Sequence, residues 1–129
     1  MEKLENYISL EKLEVVCNSI EEAHGLPNEC YLEGGYTKFE RKLLFEDKWV
    51  VIGVASNLKH KGEAVPFNLL GIPLIILKDK NDKIRVFHNV CSHRGYKLLN
   101  EPCKIKNALR CPYHSWAYDL NGKLVSTPH

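Results

Sequence analysis

Two short segments bring together residue types that bind metals: Cys91-Ser92-His93-Arg94-Gly95 and Cys111-Pro112-Tyr113-His114-Ser115-Trp116. Each offers one thiol and one imidazole, and 17 residues lie between His93 and Cys111. Each follows a run of strand-forming residues, which predicts two loops at the end of a sheet. Side by side, such loops build a four-ligand site of two sulfurs and two nitrogens. The plainer alternative makes Cys91 and Cys111 small buried hydrophobes with incidental histidines nearby. That would serve for one pair, but not for two pairs in matched loops. The chain has five cysteines, an odd number behind no secretory signal, so a disulfide framework is not expected. Cys17, Cys30 and Cys103 read as ordinary thiols, His88 as a strand residue, and His24, His60 and His129 as surface histidines.

A single zinc ion can take two sulfurs and two nitrogens tetrahedrally. Zinc knuckles, however, usually pair cysteine with cysteine, whereas both segments here mix the two types. A binuclear iron–sulfur cluster uses the mixture better. Its two irons lie apart, so one can take both thiolates and the other both imidazoles, the ligand division of a Rieske [2Fe–2S] centre.

The elements that must position these loops divide near Trp49. Before it, Ser9 can cap a helix with Leu10, Leu13, Val16 and Ile20 on one side, stopping at Gly25 ahead of Pro27. Thr37 with Glu40 forms a capping box for a second helix whose apolar stripe is Phe39, Leu43 and Leu44. Both stripes read as packing surface. From Trp49 onward short β-type runs follow: 49–55, 64–69, 72–78, 84–88, 108–111 and 116–119. Lys80-Asn81-Asp82-Lys83 is a polar turn, and Asn121-Gly122 is a hairpin signal because both residues tolerate positive φ. The expectation is a helical extension over 1–48 and a mainly β domain over 49–129, a small antiparallel sandwich or barrel. No internal repeat stands out.

Of the 129 residues, 38 are Leu, Ile, Val or Phe, enough for a core and too many for disorder. The formal charge is +2, from 18 basic and 16 acidic side chains, and no basic stripe points to nucleic acid or an anionic membrane. The longest apolar stretch, Leu69 to Leu77, is broken by Gly71 and Pro73 and too short to span a bilayer. These features predict a soluble, cytoplasmic protein.

The pattern C-x-H-x17-C-x-x-H resembles the Rieske domain of aromatic-ring-hydroxylating oxygenase α subunits. Arg94-Gly95 and Pro112-Tyr113 extend that likeness, as do Leu26-Pro27, Phe87-His88-Asn89-Val90-Cys91 and Trp116-Ala117-Tyr118-Asp119-Leu120-Asn121-Gly122. It covers roughly residues 26 to 129. The resemblance implies that Cys91 and Cys111 hold an inner iron, and His93 and His114 an outer iron at an exposed tip. Neutral imidazoles in place of thiolates remove negative charge, so the potential rises and electron uptake can couple to proton uptake. Rieske proteins of cytochrome bc complexes carry an additional cysteine in each loop; the matching positions here are Tyr96 and Tyr113, so no bridge can form. They also place a serine hydroxyl near the cluster where this chain has Trp116. Losing that donor predicts a potential in the lower part of the Rieske range. Tyr118 is a candidate hydroxyl donor to a cysteine sulfur, or simply core filling. Ser115 stands where the family usually has glycine, which would cost about 1 kcal/mol if the position needs positive φ. Arg94 is a candidate contact for a partner carboxylate.

By the same resemblance, the chain is the N-terminal, electron-accepting part of an oxygenase terminal component, a mono- or dioxygenase. A ferredoxin or flavin reductase would supply electrons, and a catalytic non-haem iron domain, of a neighbouring subunit in a homo- or hetero-oligomer, would accept them. The mononuclear iron of that domain needs two histidines and a carboxylate. The 15 residues after His114 offer only His129 and Asp119, so the catalytic domain is expected elsewhere and this chain reads as a truncation with no catalytic residues of its own. The alternatives are a stand-alone Rieske ferredoxin, which would not need the helical leader, and a zinc-stabilised interaction module.

Overall fold

The computed structural model describes residues 3–32, 34–46 and 48–128. The chain forms two compact units, Met1–Val51 and Ile52–His129. His129, expected as a surface histidine, lies outside the described residues.

In the first unit Ser9 caps helix α1 (Leu10–Glu14), its hydroxyl oxygen accepting the Lys12 N–H at 3.3 Å. The helix ends at Glu14, not at Gly25. Two β-branched residues, Val15 and Val16, and then Cys17-Asn18-Ser19 are weak helix formers, and Ile20, meant for the buried stripe, is 90% exposed. With Ile20 exposed, packing does not carry the helix past these weak formers. Helices α2 (Glu29–Leu32) and α3 (Gly34–Arg41) come next, then a π-helical turn over Lys42–Glu46. Thr37 therefore sits inside α3 and is no cap. The real start signal is Pro27-Asn28, whose carbonyls accept the first N–H groups of α2. Phe39 packs on Tyr7, ring centroids 5.2 Å apart, while Leu43 and Leu44 are each 47% exposed.

Residues 49–54, expected as a strand, enter no ladder and lead into a 3₁₀ turn at Ala55–Asn57. Their Val-Ile content favours strand, but a strand needs a neighbour for its N–H and C=O groups, and none is paired with it among the described residues. The other runs form two antiparallel sheets. One has the order β3-β2-β1-β4, from β1 (Glu63–Leu69), β2 (Ile72–Lys78), β3 (Ile84–His88) and β4 (Cys103–Lys104). The other is β5-β6-β7, from β5 (Leu109–Arg110), β6 (Ala117–Tyr118) and β7 (Leu124–Ser126). The chain is thus mainly β with short helices ahead of it, the expected architecture. Alternation supplies the core. Ala64 pairs with Leu77 and Ile75 with Phe87, and their side chains join Leu99, Ile105 and Leu120 inside.

Two turns repeat one device. Asp79 Oδ1 accepts the N–H groups of Asn81 and Lys83 at 2.8 and 2.9 Å, and Asp119 Oδ1 accepts those of Asn121 and Lys123 at the same distances. The fourth residue of each turn has positive φ: Asp82 at 62° and Gly122 at 84°. At Gly122 even a methyl group would lie 2.6 Å from Phe87, so glycine there serves packing as well as turn geometry. A short D-x-N-x-K pattern, absent from the sequence expectations, thus closes both hairpins.

Candidate metal centre

β5 ends directly before Cys111 and β3 three residues before Cys91, and the two loops that follow are built alike. Cys91 N–H donates to Tyr96 O and Gly95 N–H to Cys91 O, at 2.8 and 2.9 Å. Cys111 N–H donates to Trp116 O and Ser115 N–H to Cys111 O, also at 2.8 and 2.9 Å. In both loops the residue four after the cysteine lies in the left-handed region: Gly95 at φ 67° and Ser115 at φ 58°. The position does require positive φ, and serine adopts it.

Asn89 anchors the first loop. It is 1% exposed, its Nδ2 donates to Leu99 O at 2.6 Å, and its Oδ1 accepts the N–H groups of Leu98 and Leu99 at 3.0 and 2.8 Å. Its own N–H reaches Pro73 O at 2.8 Å. One buried amide, with three side-chain bonds, thus ties both flanks of the Cys91 loop to the first sheet. No local sequence pattern assigns Asn89 this role.

The thiols lie inside and the imidazoles outside. Cys91 and Cys111 are 1% and 3% exposed. The Tyr118 hydroxyl oxygen lies 3.2 Å from Cys91 Sγ, 3.0 Å from Ser92 N and 2.8 Å from Ser92 Oγ. With Cys91 as thiolate, Tyr118 donates its one proton to sulfur and accepts from the Ser92 N–H and hydroxyl, using its full capacity. Burial pushes the Cys91 pKa up, but Tyr118, the His93 N–H and the Cys111 side chain outweigh it and hold the thiol below its ordinary value. Tyr118 itself is raised by burial and by the sulfur beside it, so it keeps its proton. Of the two sequence readings of Tyr118, the hydroxyl contact is the one found.

The rings of His93 and His114, both half-buried, meet edge-on with centroids 4.8 Å apart. Trp116 of the second loop stacks on His93 of the first, 4.6 Å away and only 10° from parallel. Tyr113 lies 3.8 Å from His114, and Tyr96 lies 5.6 Å from Tyr113 across the loops. All four expected donors are therefore gathered as two pairs, sulfurs within and nitrogens at the rim. Among the described residues, no group of three or more His, Cys, Asp or Glu is placed to hold one metal ion. The donor set suits a cluster with separate sulfur and nitrogen ends: two buried thiols, one already held toward thiolate, and two neighbouring imidazoles. Cys103 lies in β4 opposite Ala64, Cys30 in α2 and Cys17 on the surface of the first unit, none of them in the loops. His24, His60 and His88 are exposed.

Paired loops on a two-sheet antiparallel core, offering two sulfurs and two imidazoles, define an electron-transfer domain of the iron–sulfur class. Comparison with known families is specific. Residues 48–129 match the Rieske [2Fe-2S] domain, and the chain belongs to that family, whose cofactor is the Rieske cluster. It is 32% identical over 109 residues to the carnitine monooxygenase oxygenase subunit of Escherichia coli K12, covering 84% of this chain and 29% of that protein. With the glycine betaine monooxygenase oxygenase subunit of Chromohalobacter salexigens it shares 32% identity over 102 residues, covering 79% and 23%. Among solved structures, the apo quaternary ammonium Rieske monooxygenase CntA aligns with a TM-score of 0.78 at 30% identity, covering 83% of this chain and 31% of that one. Naphthalene 1,2-dioxygenase from Rhodococcus sp. also aligns at 0.78, with 28% identity, covering 92% and 26%. The chain thus spans less than a third of the length of these relatives. Among the described residues no helix is long and apolar enough to cross a membrane.

Proposed function

We propose that the chain passes single electrons through a Rieske [2Fe–2S] cluster held by Cys91 and Cys111 at one iron and by His93 and His114 at the other. The observation that carries this reading is the likeness of the two loops: the same pair of backbone hydrogen bonds, a buried thiol at each base, and imidazoles 4.8 Å apart at the rim. When bound, the cluster supplies a one-electron couple whose potential is raised by its two neutral ligands. The chain's own residues do the rest. Tyr118 directs a proton at Cys91 Sγ, Asn89 locks the first loop, and Trp116 and Tyr113 cover the imidazole rings. Residues 49–129 act as the cluster-bearing domain and 1–48 as its helical extension.

In the whole protein this domain serves as the N-terminal part of an oxygenase terminal component. A ferredoxin or flavin reductase delivers electrons, and a catalytic non-haem iron domain receives them, across a subunit boundary in an oligomer. Support comes from relatives that are oxygenase subunits and from a solved relative described by inter-subunit electron transfer. Carnitine and glycine betaine monooxygenases among the sequence relatives favour a quaternary ammonium substrate for the parent enzyme. The same relatives weigh against a stand-alone ferredoxin.

The test is anaerobic reconstitution of the full chain, followed by iron and acid-labile sulfide analysis and EPR of the reduced protein. About two irons and two sulfides per chain, with a rhombic signal of Rieske type, is the expected result. A colourless, iron-free product or stoichiometric zinc would end the proposal.

A further inference from the structure

Tyr118 gathers three polar neighbours on one hydroxyl oxygen: Cys91 Sγ at 3.2 Å, Ser92 N at 3.0 Å and Ser92 Oγ at 2.8 Å. A tyrosine hydroxyl has one proton to give and lone pairs with which to accept. The Ser92 N–H can only donate, so it occupies one accepting position. The single proton must then go either to the sulfur or to the Ser92 hydroxyl. Two arrangements are open. Tyr118 donates to Cys91 Sγ and accepts from the Ser92 hydroxyl, or it donates to Ser92 Oγ and the sulfur goes without.

As a metal-bound thiolate, Cys91 carries negative charge and has no proton of its own to offer. A hydrogen bond to an ionised acceptor is roughly twice as strong as one between neutral groups, which favours the first arrangement. Ser92 allows it. The residue is exposed, so its hydroxyl is free to turn toward Tyr118 while its own lone pairs stay open to solvent. A hydroxyl that accepts one hydrogen bond becomes a better donor of the next, so Ser92 also strengthens the bond from Tyr118 to sulfur. The device belongs to the first loop alone. Ser92 directly follows Cys91, and Tyr118 stands 26 residues further on, in β6, which pairs with β5 and β7. At the matching place in the second loop stands Pro112, which has neither an N–H nor a hydroxyl.

Resting on the function proposed above, we infer that Ser92 is a positioning residue for the electron couple: its hydroxyl donates to Tyr118 and so aims that residue's one proton at Cys91 Sγ. A donor already turned toward the sulfur meets the added negative charge of the reduced state, which raises the potential. The step being tuned is the gain of one electron. No proton changes owner along the chain from Ser92 through Tyr118 to Cys91.

The test is a four-protein cycle on the reconstituted full chain: wild type, Ser92→Ala, Tyr118→Phe and the double variant. Potentials are read by voltammetry at neutral pH. Ser92→Ala keeps the backbone N–H and removes only the hydroxyl. It should shift the reduction equilibrium roughly two- to threefold toward the oxidised state, a potential about 20–30 mV lower at 59 mV per tenfold. In the Tyr118→Phe background the same change should move the potential by roughly a third of that or less, because the proton it aims is gone. Ser92→Thr, which keeps a hydroxyl, should restore the wild-type value, and Ser92→Val, its match in volume, should not. That pair gives the same answer if Ser92→Ala assembles poorly.

An unchanged or higher potential in Ser92→Ala would overturn the inference. So would an equal fall with and without the Tyr118 hydroxyl, which would mean that Ser92 acts on the site by another route. Equal potentials in the threonine and valine variants would reduce its role to volume and overturn it too. A chain that takes up no iron fails earlier, at the sulfide and EPR analysis, and sinks the function proposed above. A Rieske signal with an unmoved potential sinks the role of Ser92 alone, so the two failures are distinguishable.

Discussion

Gly95 and Ser115 occupy the same place in two equivalent turns, four residues after Cys91 and Cys111, with φ of 67° and 58°. One loop uses the residue that reaches this conformation freely, and the other does not. A side chain in the left-handed region costs roughly 1 kcal/mol. Ser115→Gly is therefore expected to stabilise the chain by about 1 kcal/mol, raising Tm by about 2–5 °C in a thermal melt. Gly95→Ser should lose a similar amount. If Ser115→Gly leaves Tm unchanged or lowers it, the serine hydroxyl supplies something that offsets the strain.

Tyr118 is expected to tune the potential without being needed for assembly. Its hydrogen bond to Cys91 Sγ favours the more negative, reduced state. Tyr118→Phe keeps the ring in the core and removes that donor. Loss of about 1 kcal/mol of differential stabilisation corresponds to a potential lower by about 40 mV. A voltammetric titration of wild type and variant measures it, and an unchanged or higher potential in the variant would sink the assignment.

The ligand set has its own check. Replacing the neutral imidazole of His114 by a thiolate adds negative charge to the outer pair. A His114→Cys chain that still assembles a cluster should therefore have a potential lower by more than about 100 mV. The same potential in both proteins would mean that His114 does not touch the metal.

Asp79 and Asp119 predict how acid unfolds the domain. Burial of Asp79 acts to raise its pKa, but the Arg85 guanidinium and the Lys83 and Asn81 N–H groups more than compensate and lower it. At Asp119 the Lys123 N–H leads, against weaker burial, to the same direction. A carboxyl whose folded pKa lies below its unfolded value contributes stability that is complete above the unfolded value, near 4. That stability is lost as pH falls through the depressed one. Denaturant stability should thus be flat near neutrality and fall steadily from about pH 5 downward. Asp79→Asn should flatten this slope more than Asp119→Asn, because only Asp79 is almost wholly buried and ion-paired. Equal slopes in all three proteins would refute the assignment.

What the sequence reveals unaided follows from how local each signal is. The strands 63–69, 72–78 and 84–88 carry their own periodicity and turn residues, and they fold almost as their pattern predicts. The four donors are legible because chemistry constrains their type and spacing. The helix after Ser9 stops at Glu14 because weak helix formers follow and Ile20 stays exposed, and the run at 49–54 forms no strand because a strand depends on a neighbour that its own residues do not encode. Asn89 escapes notice for a related reason. Its value lies in three bonds to residues 9 and 10 positions away, which no local pattern announces. In the sequence Trp116 signals only the absence of a serine, whereas its ring reaches a ligand candidate of the other loop.

That cross-loop contact carries the last expectation. Among the described residues the two loops share no hydrogen-bonded ladder, and the stack of Trp116 on His93, 4.6 Å apart and nearly parallel, is a cross-loop contact that holds the His93 ring plane. An aromatic pair of this kind contributes about 0.5–1.5 kcal/mol beyond its buried area, worth roughly three- to tenfold in the population of open conformers. Trp116→Leu should still assemble the cluster but lose it to an iron chelator roughly three- to tenfold faster, as followed by bleaching of the visible absorbance. Trp116→Phe, which keeps a stackable ring, should recover most of the difference. Core filling alone would not separate the two variants this way, because leucine and phenylalanine both occupy the space and only one of them stacks. Identical bleaching rates in the two variants would show that Trp116 acts by volume and that His93 is held by something else.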